Sequence, residues 1–217
     1  MGDSICVLAS GGLDSSVLLS ELSRSYRRVF PLFVSCGLRW EHVERFWLDR
    51  FLAAIHAPAI QPVHVVSIDL SGTYASHWSV GTQRAPQGTD PRNSDYLPGR
   101  NLLLLTQAAL FCSLRGIDEV ATGHLDHNPH PDGGDEFFEA FERAASIGLG
   151  RPFKVLTPFR GIDKSDVIRR AGDAPIALTF TCLDPPGTDH CGTCQHCFER
   201  RTAFRQAATL DPTPYRA

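Results

Sequence analysis

Residues 8–18, LASGGLDSSVL, form a glycine- and serine-rich turn whose composition suits phosphate binding. A short apolar run precedes the turn and a helix-like run follows it, so the pattern predicts a strand, a tight turn and the start of a helix. Two adjacent glycines let a ligand approach the main chain closely. The first N–H groups of a helix have no partner within the helix, and together with the helix dipole they attract anions. The turn is therefore a candidate site for the phosphates of a nucleotide.

This turn differs from a Walker A loop, which places a lysine directly before its serine or threonine. In this chain Asp14 stands before Ser15. The alternative to a phosphate site is a plain strand-to-helix turn in which Asp14 or Ser15 caps the helix. The turn alone leaves that alternative open.

Four cysteines near the C-terminus have the spacing of a metal site. The pattern C-x8-C-x2-C-x2-C is formed by Cys182, Cys191, Cys194 and Cys197. A Cys-x2-Cys step turns two thiolates onto one ion, and four thiolates complete the tetrahedral shell of a structural Zn²⁺. An iron–sulfur cluster is the alternative, because ferredoxin-type sequences also contain two such steps, although their C-x3-C-P ending is missing here. We expect a zinc ion, with His190 and His196 as surface residues.

Length and composition favour one main folded domain. The chain has 217 residues, of which 42% are hydrophobic, enough to bury one substantial core. A net charge of −3 offers little general attraction for a polyanion, so a long RNA or DNA partner is disfavoured. No apolar run reaches the roughly 18 residues of a membrane span, and the first strand leaves no room for a signal peptide. We expect a cytoplasmic protein in which Cys6, Cys36 and Cys112 are buried thiols rather than disulfides.

Alternating apolar runs predict an α/β fold. The strands and helices of the first half are predicted at residues 5–9, 15–25, 29–35, 41–55 and 63–68. Strands joined by helices pair in parallel, so we expect an open, mainly parallel sheet with helices on both faces. The following residues 71–99 show no clear period, and a loop of that length is more often functional than idle.

The second half continues the alternation and ends in the cysteine-rich segment. Strands are predicted at residues 119–123 and 152–157. Helices are predicted at residues 101–114, 136–149 and 199–208, and another runs from a cap at Asp163 to about residue 171. We divide the chain into an α/β domain at residues 1–174 and a metal-binding lobe with the final helix at residues 175–217. Ligands of open parallel sheets bind at the carboxyl ends of the strands, so residues 10–16 and 123–128 should share one rim.

Four stretches together resemble the QueC (ExsB) family of PP-loop ATP pyrophosphatases. Residues 10–16, SGGLDSS, look like the SGGxDS loop of that superfamily. The others are residues 98–102 (PGRNL), residues 131–137 with their Pro-Asp and Glu-Phe pairs, and the cysteine run followed by residues 211–215 (DPTPY). The resemblance spans nearly the whole chain and implies a nucleotide-binding α/β fold of the adenine nucleotide alpha hydrolase type.

The resemblance also implies an ATP-dependent carbon–nitrogen ligase that uses Mg²⁺. In QueC-like enzymes, adenylyl transfer with release of pyrophosphate turns a carboxylate oxygen into a good leaving group. Ammonia then displaces it to give an amide, and a second ATP-dependent dehydration gives the nitrile. The implied substrate is a small molecule, 7-carboxy-7-deazaguanine, and the product is 7-cyano-7-deazaguanine of queuosine biosynthesis. A homodimer is implied by the family alone.

The site residues are carried over motif by motif. The implied catalytic residues are Asp14, Ser15 and Lys164, with Asp14 binding magnesium. The implied nucleotide-binding residues are Leu8, Ala9, Ser10, Gly11, Gly12, Leu13, Asp14, Ser15, Ser16, Val34, Gly99, Arg100, Asn101 and Gly123. The implied substrate residues are Arg39, Asp126, Asn128, Asp132 and Glu136.

The chain departs from the family pattern at two places on the expected substrate rim. Many members read Tyr-Pro-Asp-Cys-Arg where this chain reads HPDGG at residues 130–134, and Tyr-Gly-Gln where it reads CGL at residues 36–38. An arginine could pair with a substrate carboxylate, which two glycines cannot do. The alternative is therefore a divergent relative that activates another carboxylate, or that joins a deazapurine acid to an amine of a partner protein. An RNA thiolase and an inactive nucleotide-binding module are the remaining alternatives.

Overall fold

Five parallel strands form one sheet in the computed structural model, which describes residues 2–75, 77–80, 96–125 and 130–216. The strands are β1 (Gly2–Leu8), β2 (Tyr26–Ser35), β3 (His64–Ser67), β4 (Glu119–Ala121) and β5 (Lys154–Leu156). The helices are α1 (Leu13–Leu22), α2 (Glu41–Ala54), α3 (Arg100–Arg115), α4 (Asp135–Leu149), α5 (Lys164–Arg170) and α6 (Gln195–Gln206). The strand order β3-β2-β1-β4-β5 places the reversal of strand order between β1 and β4.

Helices cover both faces of the sheet, as the sequence predicts. Successive side chains of β1 point to opposite faces, because a strand has a period of two. Ile5 and Val7 pack in one apolar cluster with residues of α1, α2, α5 and α6. Cys6 packs in a second cluster with residues of α3 and α4. No helix in the described ranges has the length and apolarity that a bilayer crossing needs.

Two helix starts differ from the sequence-based prediction. Helix α1 begins at Leu13 instead of residue 15, and its N-cap is Gly12, with no side-chain capping bond. The alternative that Asp14 or Ser15 caps this helix is therefore wrong. Helix α6 begins at Gln195 instead of residue 199, because Cys194 is its N-cap and the carbonyl of Cys194 accepts the N–H of Phe198. Hydrophobic periodicity could not reveal this start, since the first turn contains a cysteine and two polar side chains.

The C-terminal segment packs into the main core. Phe204 on α6 belongs to the same apolar cluster as Val167 on α5 and Val17 on α1. Phe180 and Cys182 belong to a third cluster with Cys36 and Trp40, beyond the carboxyl end of β2. The division at residues 174 and 175 stays a prediction, although the two parts share these clusters.

A buried arginine fixes the C-terminal segment. Arg200 on α6 is fully buried, and its guanidinium donates to the Thr213 hydroxyl at 2.6 Å, the Thr179 hydroxyl at 2.9 Å and the Ile176 carbonyl at 3.1 Å. Asp211 lies 3.9 Å away and supplies the opposite charge. The guanidinium therefore links α6 to the segment before it, at Ile176 and Thr179, and to the segment after it, at Thr213.

We expect Arg200→Met to lower the free energy of unfolding by about 3–5 kcal/mol, the scale for removing one partner of a buried ionic pair. The substitution removes the cation beside Asp211 and the donor to the two hydroxyls and the Ile176 carbonyl. Urea denaturation measures the effect. Arg205→Met, an exposed position on the same helix, is the matched control and should change stability by less than about 0.5 kcal/mol. Equal free energies of unfolding for the two variants would contradict the conclusion that Arg200 fixes the C-terminal segment.

Candidate active site

A cavity of about 280 Å³ opens at the carboxyl ends of β1, β2 and β4. The turn after β1 and Gly123 after β4 both line it, so the described part of residues 123–128 shares the rim of the first turn as predicted. A Cβ atom on Gly123 would lie 3.1 Å from the carbonyl carbon of Asp14 and the nitrogen of Ser15. The two loops are thus in backbone contact, and a side chain at residue 123 would require the turn to shift by a few tenths of an ångström.

The turn leaves the N-terminus of α1 open to a ligand. Gly11 has φ = 79°, and a Cβ there would lie 2.5 Å from the carbonyl oxygen of Glu44. The N–H of Gly12 donates to the Ser10 hydroxyl at 3.2 Å. The Ser15 hydroxyl donates to the Gly12 carbonyl at 3.3 Å. With no side-chain cap on α1, the N–H groups of its first turn face the cavity as an anion site.

Asp14 and Lys164 meet at the mouth of this turn. The Lys164 ammonium lies 3.6 Å from Oδ2 of Asp14, and both side chains line the cavity. Oδ1 of Asp14 is buried and has no hydrogen-bond partner in the part of the chain that the structure describes. An unpaired buried carboxylate oxygen is costly, and a bound cation would satisfy it. These two residues therefore fit the magnesium and phosphate roles predicted for them.

The start of α3 supplies a cation to the opposite wall. Arg100 and Asn101 line the cavity, and Nε of Arg100 is buried with no partner among the described residues. Asp132 accepts the N–H of Asn101 at 2.8 Å, and its main-chain carbonyl accepts the Asn101 side-chain amide at 2.9 Å. Asp132 thus holds the first turn of α3, with Gly99 as N-cap at φ = 75°.

Two glutamates on α2 also line the cavity, and they have different surroundings. The Glu41 carboxylate accepts the Ser35 hydroxyl at 2.8 Å and the N–H groups of Cys36 and Gly37 at 2.8 and 3.0 Å. Burial raises the pKa of Glu44 to about 7 against the opposing charge of Arg100, and nearby Glu41 contributes to the increase. Glu41 is therefore a fixed hydrogen-bond acceptor, whereas Glu44 changes its protonation state near neutral pH.

Several predicted site residues lie at the cavity and others do not. Those that line it are Leu8, Ala9, Ser10, Gly12, Leu13, Asp14, Ser15, Val34, Arg100, Asn101, Gly123 and Lys164. Gly11 and Ser16 belong to the turn but are not among the residues that line the cavity, and Ser16 is fully buried. Arg39 pairs with Asp184 at 3.4 Å, and Glu136 is exposed on the first turn of α4; neither lines the cavity. Asp126 and Asn128 lie outside the described residues.

The sequence did not reveal part of the cavity wall. Besides the two glutamates, the additional lining residues are Leu32, Phe33, Trp40, Leu104, Leu105, Thr122, His124, Phe138, Phe180, Thr181, Leu183 and His196. His124 had a usable signal, because it directly follows Gly123 at a strand end. Phe180, Thr181 and Leu183 had none, since only the folding of the C-terminal segment back onto the first turn brings them there.

The four C-terminal cysteines converge on one point. Their Sγ atoms all lie within 4.8 Å of one another, with Cys191 and Cys197 4.0 Å apart and Cys182 and Cys194 4.0 Å apart. A tetrahedral ion with metal–sulfur bonds of about 2.3 Å needs sulfurs about 3.8 Å apart. Hydrogen bonds from Cys182 and Cys197 lower the pKa of the Cys194 thiol, so the group readily holds a thiolate. This geometry suits a single metal ion.

The two neighbouring histidines are not the surface residues we expected. His190 is buried, and its Nε2 accepts the N–H of Thr181 at 3.2 Å. Burial and the nearby Arg200 lower the pKa of His190 to about 4, so its ring is neutral. His196 is half-buried and lines the cavity. The prediction failed because the polar spacing of this segment does not show that Phe180 and Tyr215 pack on His190.

We expect Gly123→Ala to weaken nucleotide binding and to destabilise the fold by about 1–3 kcal/mol, because the added methyl forces the turn away from β4. Binding of a nucleotide analogue that cannot be cleaved between the α- and β-phosphates measures the first effect, and thermal unfolding measures the second. In the control Gly148→Ala, the methyl enters open space on α4 and should leave binding unchanged. Unchanged binding in Gly123→Ala would show that the turn tolerates displacement.

Comparison with solved structures supports the fold. A predicted subunit of a tRNA methyltransferase from Methanocaldococcus jannaschii superimposes with a TM-score of 0.51 and 14% identity, covering 79% of this chain and 75% of the other. A 4-thiouridine synthetase, solved in an RNA complex with bound ATP, gives a TM-score of 0.51 and 14% identity over 95% of this chain and 50% of that one. At this identity the likeness concerns the fold alone.

Comparison of sequences identifies the family. The profile of the family described as queuosine biosynthesis protein QueC matches residues 4–208. A 7-cyano-7-deazaguanine synthase from Methanothrix thermoacetophila is 33% identical over 228 aligned residues, covering 99% of both chains. A 7-cyano-7-deazaguanine synthase from an Anaeromyxobacter species is 30% identical, covering 96% of this chain and 94% of the relative. With its open turn at residues 10–16, the phosphate turn, and its four convergent cysteines, this chain belongs to the QueC family.

Proposed function

We propose that this chain is an ATP-dependent 7-cyano-7-deazaguanine synthase that converts 7-carboxy-7-deazaguanine and ammonia into the nitrile. The single observation that carries the proposal is the uncapped N-terminus of α1, with Asp14 and Lys164 beside it, in a chain that matches the QueC family over most of its length. Relatives of the same length carry the synthase name.

The residues of the turn supply the contacts that adenylyl transfer needs. The substrate carboxylate attacks the α-phosphorus of ATP, and the bond to the leaving pyrophosphate breaks. Ammonia then bonds to the activated carbon, and AMP leaves with the carbon–oxygen electron pair. In the second activation the amide oxygen attacks the α-phosphorus of another ATP, pyrophosphate leaves and the amide nitrogen loses one proton. Departure of AMP with the carbon–oxygen electron pair and loss of the remaining N–H proton then give the nitrile. N–H groups of α1, together with Lys164, stabilise the charge that accumulates on the phosphates.

Asp14 would hold Mg²⁺ through Oδ1, which has no hydrogen-bond partner among the described residues. The ion would neutralise phosphate charge in the cavity when bound.

Arg100 is the cation we assign to the substrate or phosphate anion, in place of the predicted Arg39. Its Nε is buried without a partner among the described residues and it lines the cavity, whereas Arg39 lies outside the lining and pairs with Asp184. A guanidinium pairs with a carboxylate through two parallel hydrogen bonds, which supplies both charge and orientation. The cavity wall therefore keeps an arginine on α3, although residues 133 and 134 are glycines.

The metal that we assign to Cys182, Cys191, Cys194 and Cys197 is a structural Zn²⁺. The sulfur separations of 4.0 Å are close to those of one tetrahedral ion, while a [4Fe–4S] cluster places each thiolate on a different iron and needs a wider set. Thiolate ligands must be reduced, and a reducing cytoplasm is accordingly the compartment that we propose.

Wild-type protein incubated with ATP, Mg²⁺, ammonium and 7-carboxy-7-deazaguanine should release AMP and form the nitrile, followed by nucleobase mass. We expect Asp14→Asn to lower turnover by about a hundredfold or more, because it removes the carboxylate charge from the phosphate site. Asp173→Asn, at an exposed surface position, is the control and should be fully active. An unchanged acid with wild-type protein would refute the proposed function. Pyrophosphate release with an amine conjugate as product would favour the divergent alternative.

We expect Cys194→Ser to lose bound zinc and thermal stability together, because the binding energy of a structural metal is part of the folding energy. Metal analysis by mass spectrometry and thermal unfolding measure the two effects. Cys112→Ser alters another buried cysteine outside the cluster and should retain its zinc. Full zinc occupancy in Cys194→Ser, or visible absorbance bands in the wild-type protein, would contradict this assignment.

A further inference from the structure

His124 is a buried histidine in the cavity to which no role has yet been assigned. It follows Gly123 at the carboxyl end of β4 and is only 8% exposed. Its ring packs edge-to-face on Phe138, with ring centroids 5.4 Å apart. Both rings line the cavity together with Asp14 and Lys164. The imidazole therefore forms part of the wall beside the phosphate turn.

One nitrogen of this ring is held and the other is unpaired. The backbone of Gly133 forms a hydrogen bond with the ring, and Nε2 is buried with no partner in the described ranges. Nδ1 is therefore the nitrogen we assign to the Gly133 contact, where it donates its proton to the carbonyl. In a neutral imidazole with a protonated Nδ1, Nε2 carries the lone pair. The wall of the cavity thus contains a buried basic nitrogen that lacks a proton donor among the described residues.

The surroundings keep this imidazole neutral. Burial lowers the pKa of His124, and the positive charge of Arg160 lowers it further. Asp132 and the Gly133 backbone act in the opposite direction, and His130 adds to the lowering. Arg160 is fixed there because it donates to the Gly133 carbonyl at 2.8 Å and pairs with Asp135 at 3.3 Å. Nε2 accordingly carries no proton near neutral pH and can act as an acceptor.

The position of His124 places it near the reacting carbon. The residue before it is in backbone contact with Asp14 and Ser15, the turn that binds the phosphates in the proposed function. The substrate carboxyl must lie against the α-phosphate to be adenylated, so it lies at the same turn. Glu44 is less suited to act there, because it lies on α2 among Glu41, Trp40 and Arg100.

We propose that Nε2 of His124 accepts the proton that ammonia loses as it attacks the activated carboxyl, which makes His124 a catalytic base of the proposed synthase reaction. As the new carbon–nitrogen bond forms, one N–H proton passes to Nε2 and AMP leaves with the carbon–oxygen electron pair. The imidazolium returns its proton to solvent before the second activation. The amide then loses two N–H protons: one passes to solvent as its oxygen is adenylated, and Nε2 accepts the other as AMP leaves and the nitrile forms. This inference rests on the proposed function.

The test compares two nucleophiles in His124→Asn. Hydroxylamine attacks activated acyl groups readily without a base, whereas ammonia needs its proton removed. We expect the variant to form the amide and nitrile from ammonia about 10²–10⁴-fold more slowly, the usual contribution of a general base. Hydroxamate formation from hydroxylamine and the substrate-dependent exchange of pyrophosphate into ATP should stay within about threefold of the wild-type rates, well below that contribution. Added imidazole should restore ammonia-dependent turnover to His124→Gly.

The control is His42→Asn, at an exposed position on α2, which should keep wild-type rates with both nucleophiles. His124→Gln serves as a second variant, and retained zinc and an unchanged melting temperature show that either variant is folded. Wild-type rates with ammonia in a folded variant would overturn the proposal. Equal losses with both nucleophiles, without rescue by imidazole, would also overturn it, because a residue that only shapes the cavity would behave in that way. Wild-type protein that forms neither nitrile nor hydroxamate would refute the proposed function itself.

Discussion

The hydrogen bond from the N–H of Phe180 to the carbonyl of Gly11, 2.9 Å long, joins the C-terminal segment to the turn after β1 at the cavity. Gly11 adopts its positive φ in the middle of the phosphate turn, so its carbonyl orientation helps to set the direction of the N–H groups that follow. Phe180 is buried in the apolar cluster that contains the cysteines. The phosphate turn is therefore held by a segment that lies about 170 residues further along the chain.

This contact explains why a cysteine site belongs to the nucleotide-binding fold. Thr181 and Leu183 line the cavity on either side of the cysteine ligand Cys182, so a metal bound there fixes a wall of the cavity as well as its own loop. Arg200 fixes the same segment through hydrogen bonds to the Thr179 hydroxyl and the Ile176 carbonyl. The position of the wall then depends on two independent anchors. Stability of the C-terminal segment and geometry of the phosphate turn are consequently linked.

The sequence predicted the parts of the site that are local in the chain. The phosphate turn could be found because its glycines and serines are consecutive, and its partnership with Gly123 followed from the rule for parallel sheets. The cysteine site could be found because three of its ligands are spaced by two residues. Asp132 was assigned to substrate, yet it holds Asn101, since a motif shows which residues recur but not which neighbour they contact. His190 was placed on the surface because its burial depends on packing by distant residues.

The charges of the cavity are arranged so that a polyanion can enter despite three carboxylates in its lining. The Glu41 carboxylate accepts hydrogen bonds from the Ser35 hydroxyl and two backbone N–H groups, and these bonds stabilise its charge and fix the end of β2. Asp14 faces Lys164 and retains one oxygen for a cation. Glu44 has Arg100 and Trp40 beside it, yet burial outweighs them and raises its pKa to about 7, so a proton neutralises it for part of the time near neutral pH. A charged Glu44 would repel the phosphates and the substrate carboxylate, so the burial that raises its pKa weakens an electrostatic obstacle to adenylation.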